Sequence, residues 1–159
     1  MATTTEQEKL ILSWNAFEQL TGVLVERIGN QHFDVLLGIT RGGLTLTAKL
    51  AYRLNQSRIV TAAVRNYNDD NQRLPEPELL YFPQAYIFAG KTVLVVDDVW
   101  DSGLSIALVC RLIRQAGGTP LVATLYYKPG RSKVTGQPDF YAAETETWID
   151  YPWESDNGN

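Results

Sequence analysis

Three carboxylates and two hydroxyls lie around one glycine in the middle of this chain. Asp97 and Asp98 follow a run of β-branched apolar residues, and Asp101 precedes the sequence SGLS at positions 102–105. The apolar run predicts a buried parallel strand, and the glycine permits a tight turn into a helix. Backbone N–H groups at such a turn bind phosphate, whereas carboxylates hold sugar hydroxyls or Mg²⁺. The combination suits a ligand with a phosphate, a sugar diol and a divalent metal.

Two simpler interpretations compete with this one. A strand that ends in solvated acids, followed by an Asp or Ser helix cap, is common in α/β proteins. Three acids and two hydroxyls around one glycine are more than capping requires. The paired acids also fit the phosphoacceptor site of a receiver domain, but the hydroxylated turn has no purpose there.

A second segment whose residues could bind a ligand lies at residues 39–44, between a predicted strand and a predicted helix. Its sequence is ITRGGL, so a cationic Arg41 stands beside the pair Gly42 and Gly43. Two glycines let an anion approach the backbone closely. A Gly-Gly turn by itself is equally consistent with an ordinary connection between a strand and a helix.

The segment VVDDVWDSGLS at residues 95–105 resembles the motif with which type I phosphoribosyltransferases bind phosphoribosyl pyrophosphate (PRPP). That family commonly has Thr where this chain has Ser102 and Ser105, so the hydroxyls are retained. The resemblance implies an α/β fold of the type I phosphoribosyltransferase kind: a parallel sheet flanked by helices, with a small hood and a flexible loop. It also implies that Asp97 and Asp98 hold the ribose diol and Mg²⁺. The remaining PRPP contacts would come from Asp101, Ser102, Gly103, Leu104 and Ser105.

Residues 39–44 resemble the pyrophosphate loop of the same family. In that loop a non-proline peptide bond, often cis, turns an amide towards the leaving group. By this resemblance the unusual bond joins Thr40 to Arg41. PRPP contacts are therefore expected from Thr40, Arg41, Gly42 and Gly43.

Residues 66–89 are rich in Asn, Asp and Gln and contain three prolines, which predicts a long flexible loop. Within it, YNDDNQR at residues 67–73 resembles the catalytic loop of bacterial xanthine-guanine phosphoribosyltransferases. The resemblance implies that the loop closes over PRPP and excludes water, with Arg73 as a catalytic residue at the pyrophosphate. The composition alone favours a solvated surface loop.

The C-terminal segment WIDYPWE at residues 148–154 has the Trp-Ile…Pro-Trp-acid order of the same enzymes. The resemblance implies that a purine stacks on Trp148 and that Lys128 donates to its O6 oxygen, which favours 6-oxopurines over adenine. Ile149 and Glu154 would read the 2-position. Without the other motifs, a Trp-rich core strand and a surface lysine would be the preferred interpretation.

The resemblance, which extends from about residue 34 to 154, identifies a 6-oxopurine phosphoribosyltransferase. Such an enzyme converts PRPP and guanine, xanthine or hypoxanthine to the nucleoside 5′-monophosphate and pyrophosphate, with Mg²⁺. Asp101 is expected to manage the proton on purine N7. Relatives suggest a homodimer or a homotetramer. The alternative is a regulator that keeps the fold, senses PRPP or a nucleotide, and binds RNA or a partner protein. The preferred base stays open.

Composition narrows the class of protein further. The 159 residues suit one domain, and the net charge of −4 argues weakly against a nucleic-acid-binding surface. No apolar stretch is long enough to cross a membrane, and no signal-peptide pattern is visible, so we expect a cytoplasmic protein without membrane contact. The single Cys110 excludes an intrachain disulfide, and its apolar neighbours indicate a buried filler.

The elements that must position these residues follow from periodicity. A capping box at Thr5 and Glu8 and apolar residues at helical spacing predict a helix from Glu6 to about Ile28, within an N-terminal helical region at 1–30. Alternating strands and helices predict a parallel sheet whose ligands bind at the carboxyl ends of the strands. Residues 128–154 are expected to form the hood over the base. The remaining predicted elements are the strands Asp34–Thr40, Arg58–Arg65, Thr92–Val96, Leu121–Tyr127, Phe140–Ala143 and Thr147–Asp150, and the helices Leu44–Leu54 and Gly103–Ala116.

Overall fold

The computed structural model describes residues 8–154. In chain order these residues form β1 (Lys9–Ile11), α1 (Trp14–Ile28), β2 (Val35–Thr40), α2 (Gly43–Arg53), β3 (Ile59–Tyr67), β4 (Arg73–Tyr81), β5 (Thr92–Trp100), α3 (Leu104–Gln115), β6 (Thr119–Tyr127), β7 (Phe140–Glu144) and β8 (Trp148–Asp150). Within this part of the chain no helix is both long and apolar enough to span a bilayer.

Six strands form the main sheet in the order β4-β3-β2-β5-β6-β7. All neighbours are parallel except β4, which runs antiparallel to β3 at one edge. The chain proceeds from β2 to β3 on one side and later adds β5 on the other side of β2. The crevice between the carboxyl ends of β2 and β5 is therefore a topological switch point, where open α/β sheets bind ligands.

The core lies on both faces of this sheet. Leu94 and Val96 of β5 face α1 and α2, where they join a cluster that contains Leu24 and Leu46. The alternate β5 residues pack with α3 residues such as Val109 in a second cluster. Because successive side chains of a strand point to opposite faces, the unbroken apolar run of β5 serves both layers.

The N-terminal helix starts later than the sequence predicts. Thr5 of the predicted capping box lies outside the described residues, but α1 begins at Trp14, and the Ser13 hydroxyl caps it by accepting a hydrogen bond from the N–H of Ala16, 3.1 Å. Residues Lys9–Ile11, which the periodicity placed in this helix, form β1 and pair in parallel with β8. For the described residues 8–13 the helical prediction was wrong, because a tertiary pairing overrides the local pattern.

The prediction of one long loop at residues 66–89 was also wrong. Residues up to Tyr67 continue β3, and Arg73–Tyr81 form β4, which leaves a short connection at 68–72. Pro75 and Pro77 argued against a strand. β4 is an edge strand, however, and a proline there need not remove a ladder hydrogen bond.

Candidate active site

A cavity of about 780 Å³ opens at the switch point between β2 and β5. Fourteen of the sequence-predicted site residues line it: Thr40, Arg41, Gly42, Arg73, Asp97, Asp98, Asp101, Ser102, Gly103, Ser105, Lys128, Trp148, Ile149 and Glu154. Gly43 and Leu104 do not line the cavity; they are the first residues of α2 and α3. The fold thus brings residues from distant parts of the sequence to one place.

Asp97 and Asp98 are held within β5, which extends to Trp100 and beyond its predicted end. The Asp98 N–H donates to the Asp97 carboxylate, 2.9 Å. Burial raises the pKa of Asp97 well above its ordinary value, with the neighbouring Asp98 adding to the effect. Burial likewise raises the pKa of Asp98, to about 6. Within residues 8–154 neither carboxylate has a salt-bridge partner, so a cation or hydroxyl donors in the cavity would favour their ionised forms.

The glycine pair brings the β2 turn against these acids. The peptide bond between Thr40 and Arg41 is cis, at the position indicated by the family resemblance. A Cβ atom on Gly42 would lie 2.6 Å from a carboxylate oxygen of Asp98, and one on Gly43 would lie 2.5 Å from the carbonyl oxygen of Val96. Gly43 therefore permits a close approach of the turn to the β5 backbone, and Gly42 leaves room for the Asp98 carboxylate.

The hydroxylated turn after β5 adopts the conformation that its glycine suggested. Gly103 has a φ of 78° and directly precedes α3. A Cβ atom there would also lie 2.5 Å from the indole nitrogen of Trp100, which donates to the Ser132 hydroxyl, 3.1 Å. The N–H of Leu104 donates to the Ser102 hydroxyl, 3.3 Å. The turn thus presents hydroxyls and the N-terminus of a helix to the cavity, as phosphate binding requires.

The β3–β4 hairpin touches this turn directly. The Ser105 hydroxyl donates to the side-chain oxygen of Asn66 over 2.9 Å. Arg65 also lines the cavity, and its guanidinium pairs with Asp69 at 2.8 Å and with Glu78 at 2.9 Å. Arg73 stands at the start of β4, so the hairpin carries two arginines at the cavity.

Besides the two turns and the hairpin, the cavity has a third wall, the aromatic wall, which is formed by Lys128 and residues 148–154. It combines a buried cation with an aromatic face. The side chain of Lys128 is only 4% exposed, and its ammonium lies 5.8 Å from the ring centroid of Trp148. The Trp148 indole N–H donates to Asp150, 3.1 Å, which fixes the ring while half of the side chain stays exposed. This wall offers a flat ring and a hydrogen-bond donor, the two groups that a polar aromatic ligand needs.

The C-terminal end of this wall is held internally. The Ile149 side chain is buried, so its backbone is the part that can face a ligand. The Glu154 carboxylate accepts a hydrogen bond from the N–H of Tyr151, 3.2 Å. The Tyr151 ring stacks on Trp153 with centroids 4.7 Å apart.

Asp101 joins the acid-bearing strand to the aromatic wall. One of its oxygens, Oδ1, accepts from Arg131 at 2.7 Å, and the other, Oδ2, accepts from Lys128 at 3.3 Å. Burial alone would raise the pKa of Asp101, but the Arg131 hydrogen bond and both positive charges lower it overall. The lowered pKa keeps Asp101 ionised at neutral pH.

Comparison with known proteins agrees with this geometry. Residues 9–155 match the family described as the phosphoribosyl transferase domain. The chain belongs to this family.

Relatives within the phosphoribosyltransferase family span nearly the same length. The chain is 34% identical over 152 residues to a xanthine-guanine phosphoribosyltransferase of Cereibacter sphaeroides, covering 90% of this chain and 85% of that protein. It is 30% identical over 158 residues to a protein of the same name from a Ruegeria species, covering 90% and 84%. A purine phosphoribosyltransferase of Pyrococcus horikoshii superposes with a TM-score of 0.77 at 27% identity, covering 92% of this chain and 94% of that one. The phosphoribosyltransferase fold expected from the sequence is thereby confirmed.

Residues without a role predicted from the sequence also line the cavity of this phosphoribosyltransferase, among them Arg65, Asn66, Tyr151 and Arg131. Arg131 carried a weak signal, since it follows Lys128 by three positions; the structure places it in a short 3₁₀ turn. Arg65 and Asn66 carried no such signal, because Arg65 was predicted to end a strand and Asn66 to begin a flexible loop.

Cys110 does not reach the cavity. It lies buried in α3, and burial raises the pKa of its thiol to about 11, as expected of a side chain that only packs.

Proposed function

We propose that this chain is a 6-oxopurine phosphoribosyltransferase that transfers the phosphoribosyl group of PRPP to guanine, xanthine or hypoxanthine. One observation carries the proposal: the ammonium of Lys128 contacts both Asp101 and the Trp148 ring. A donor for a purine O6, a proton acceptor and a stacking surface therefore meet at one wall. The same cavity contains the paired acids and the hydroxylated turn.

PRPP binding is assigned to the two turns. The 5′-phosphate is received by the amides and hydroxyls of residues 101–105, at the start of α3. Asp97 and Asp98 receive the ribose diol. Arg41, the backbone around Gly42 and Gly43, and Arg73 receive the pyrophosphate. This arrangement places the anionic groups of PRPP on amides and arginines, and its hydroxyls on carboxylates.

The donor set fits Mg²⁺ bound together with PRPP. Among residues 8–154 no group of three carboxylate, His or Cys side chains could hold a metal. Asp97 and Asp98 supply two buried carboxylates, and Mg²⁺ commonly takes its other ligands from water and substrate oxygens. Bound there, Mg²⁺ would neutralise charge on the leaving pyrophosphate.

The chemistry that we assign to the protein is one proton transfer and charge stabilisation. The bond from ribose C1′ to the pyrophosphate oxygen breaks, and pyrophosphate leaves with the electron pair. The bond from purine N9 to C1′ forms, while the N7 proton passes to the Asp101 carboxylate. The cationic ribosyl state resembles that of glycoside hydrolysis. Arginines and backbone amides stabilise the negative charge that develops on pyrophosphate.

The purine is assigned to the third wall. Trp148 stacks on its face, Lys128 donates to O6, and the Ile149 backbone and Glu154 face the 2-position. A donor at O6 disfavours adenine, whose 6-amino group is itself a donor.

An assay with PRPP, Mg²⁺ and one base at a time tests the proposal. We expect pyrophosphate release with guanine, xanthine or hypoxanthine and far less with adenine. Chelation of Mg²⁺ should abolish the release. Binding of PRPP without release for any base would contradict the proposal and favour a sensor.

We further propose a cytoplasmic homodimer or homotetramer. Exposed apolar side chains around β4 support self-association, since Leu80 is 61% exposed, Tyr81 57% and Tyr86 75%. Light scattering after gel filtration measures the assembly. A monomer at every concentration would contradict this part.

A further inference from the structure

The Asp101 carboxylate pairs with two cations that differ in distance, exposure and surroundings. Arg131 Nε lies 2.7 Å from Oδ1, and Lys128 Nζ lies 3.3 Å from Oδ2. The Arg131 side chain is 47% exposed, whereas that of Lys128 is 4% exposed and faces the Trp148 ring. The two contacts therefore occupy different oxygens of the Asp101 carboxylate.

The weaker of these contacts is the one that a base would compete for. Under the proposed function, Lys128 turns its donors towards the purine O6, and its longer contact with Oδ2 is loosened. Nothing in that step draws Arg131 away from Oδ1, because its short, charge-assisted hydrogen bond does not involve the aromatic wall.

We propose that Arg131 is a positioning residue: it holds Oδ1 of Asp101 so that Oδ2 faces the purine N7 once Lys128 has moved to the base. This inference rests on the proposed function and assigns a role to a residue that the family motifs did not indicate. Arg131 acts through Asp101 and makes no contact with the reacting atoms.

The charges around Asp101 support a role for Arg131 in orienting Asp101 and a role for Lys128 in contacting the base. Arg131 and Lys128 are the cations that face it, from the 3₁₀ turn and the end of β6. Arg131 also interacts electrostatically with Tyr67 of the hairpin and with Glu146, which accepts a hydrogen bond from the Gly130 N–H at 2.8 Å. Glu146 thus holds the 3₁₀ turn that carries Arg131. Removal of Arg131 leaves Asp101 with Lys128 as its cation in the free enzyme. In the complex with the base, the orientation of the Asp101 carboxylate is then less well fixed.

The test compares Arg131→Met, Arg131→Gln and Arg131→Lys with the control Arg111→Met. Arg111 is exposed on α3 and does not line the cavity. We expect Arg131→Met and Arg131→Gln to lower kcat by about 10- to 100-fold with KM for PRPP and base changed less than about threefold. The acidic limb of the kcat–pH profile should move to higher pH, because an unpaired carboxylate has a higher pKa. Arg131→Lys should recover part of kcat.

Three outcomes decide between the proposals. A wild type that releases no pyrophosphate with any 6-oxopurine removes the proposed function, and this inference with it. An active wild type whose Arg131→Met variant keeps full kcat and an unmoved acidic limb overturns the inference alone. A large rise in KM for PRPP with kcat retained also overturns it, because Arg131 would then bind PRPP directly. Circular dichroism spectra and thermal unfolding show whether each variant is folded.

Discussion

The hydroxyl of Tyr151 donates a hydrogen bond to the backbone carbonyl oxygen of Asp98, 3.2 Å away. Tyr151 is 2% exposed, and its ring stacks on Trp153. This contact links the aromatic C-terminal wall to the strand that carries the paired acids. This hydrogen bond, like the pair between Lys128 and Asp101, therefore joins the part of the proposed site for the base to the part for the sugar.

Tyr151→Phe removes that hydroxyl and keeps the ring. A buried carbonyl loses a partner, so the free energy of unfolding should fall by about 1–3 kcal/mol. KM should rise for both PRPP and the base, since both walls shift. Urea unfolding and steady-state kinetics measure the two effects. Tyr126→Phe is the matched control, because Tyr126 is a buried tyrosine of the same core whose ladder contact with β5 is made by its backbone and not by its hydroxyl. Equal effects in both variants would contradict the coupling.

Asp101→Asn removes the proposed proton acceptor without changing its shape. Turnover should fall by about 10²- to 10⁴-fold, because the N7 proton then has no acceptor. PRPP affinity should change little, as the acid pair and both turns remain. Single-turnover kinetics and calorimetric titration with PRPP separate these quantities. Asp34→Asn, remote from the cavity, serves as the control, and unchanged turnover in Asp101→Asn would exclude Asp101 from the chemistry.

Trp148→Ala removes the ring on which the purine is proposed to stack. Base–aromatic stacking is worth about 1–3 kcal/mol, so KM for the base should rise by about 5- to 150-fold. KM for PRPP should stay within about twofold, since the sugar site is separate. Trp148→Phe keeps a ring and should recover much of the affinity. Equal base affinity in the wild type and Trp148→Ala would refute the stacking assignment.

Gly43→Ala tests the close approach of the β2 turn to β5. The added methyl group would lie 2.5 Å from the Val96 carbonyl oxygen, so backbone must move. We expect a loss of about 1–3 kcal/mol in the free energy of unfolding, together with weaker PRPP binding. The matched control is Gly22→Ala in α1, where the nearest atom would be 3.8 Å away. That variant should gain about 0.5–1 kcal/mol from helix propensity.

Asp34, which lies far from the cavity, makes the free energy of unfolding depend on pH in the acidic range. Its carboxylate accepts from the Thr92 N–H at 2.8 Å, and this hydrogen bond is the main cause of its lowered pKa. A lowered pKa means that the stabilisation is complete above the ordinary value of 3.8 and is lost as the pH falls through the folded-state pKa. Asp34→Asn keeps an acceptor oxygen but does not titrate.

The pH dependence of Tm measures this contribution. Between neutral pH and about pH 2, Tm of Asp34→Asn should fall less than Tm of the wild type. Parallel curves for the two proteins would show that Asp34 does not contribute to acid unfolding.

Much of the site was readable from local sequence. The strand, the acids and the glycine turn of residues 95–105 lie next to one another in the chain, so their contacts are set by backbone geometry over a few residues. The same holds for the turn at residues 39–44. The parallel sheet followed from alternating elements, and the rule that ligands bind at strand ends placed the cavity.

The features that were missed all depend on distant partners. Lys9–Ile11 is a strand because β8 lies beside it, and Arg73–Tyr81 is a strand because β3 supplies a partner on one side and solvent lies on the other. The pattern of a three-residue strand or of a proline-containing edge carries too little information to reveal either.

The amino-acid sequence alone thus indicated the family, the parallel part of the sheet and the chemical types of the groups at its carboxyl edge. Only the tertiary structure decided that Arg131 grips Asp101 and that Tyr151 reaches the carbonyl of Asp98. Local motifs specify what a turn can bind, because backbone conformation is a short-range property. Contacts between side chains far apart in the chain depend on how whole elements pack, and no short stretch of sequence contains that information.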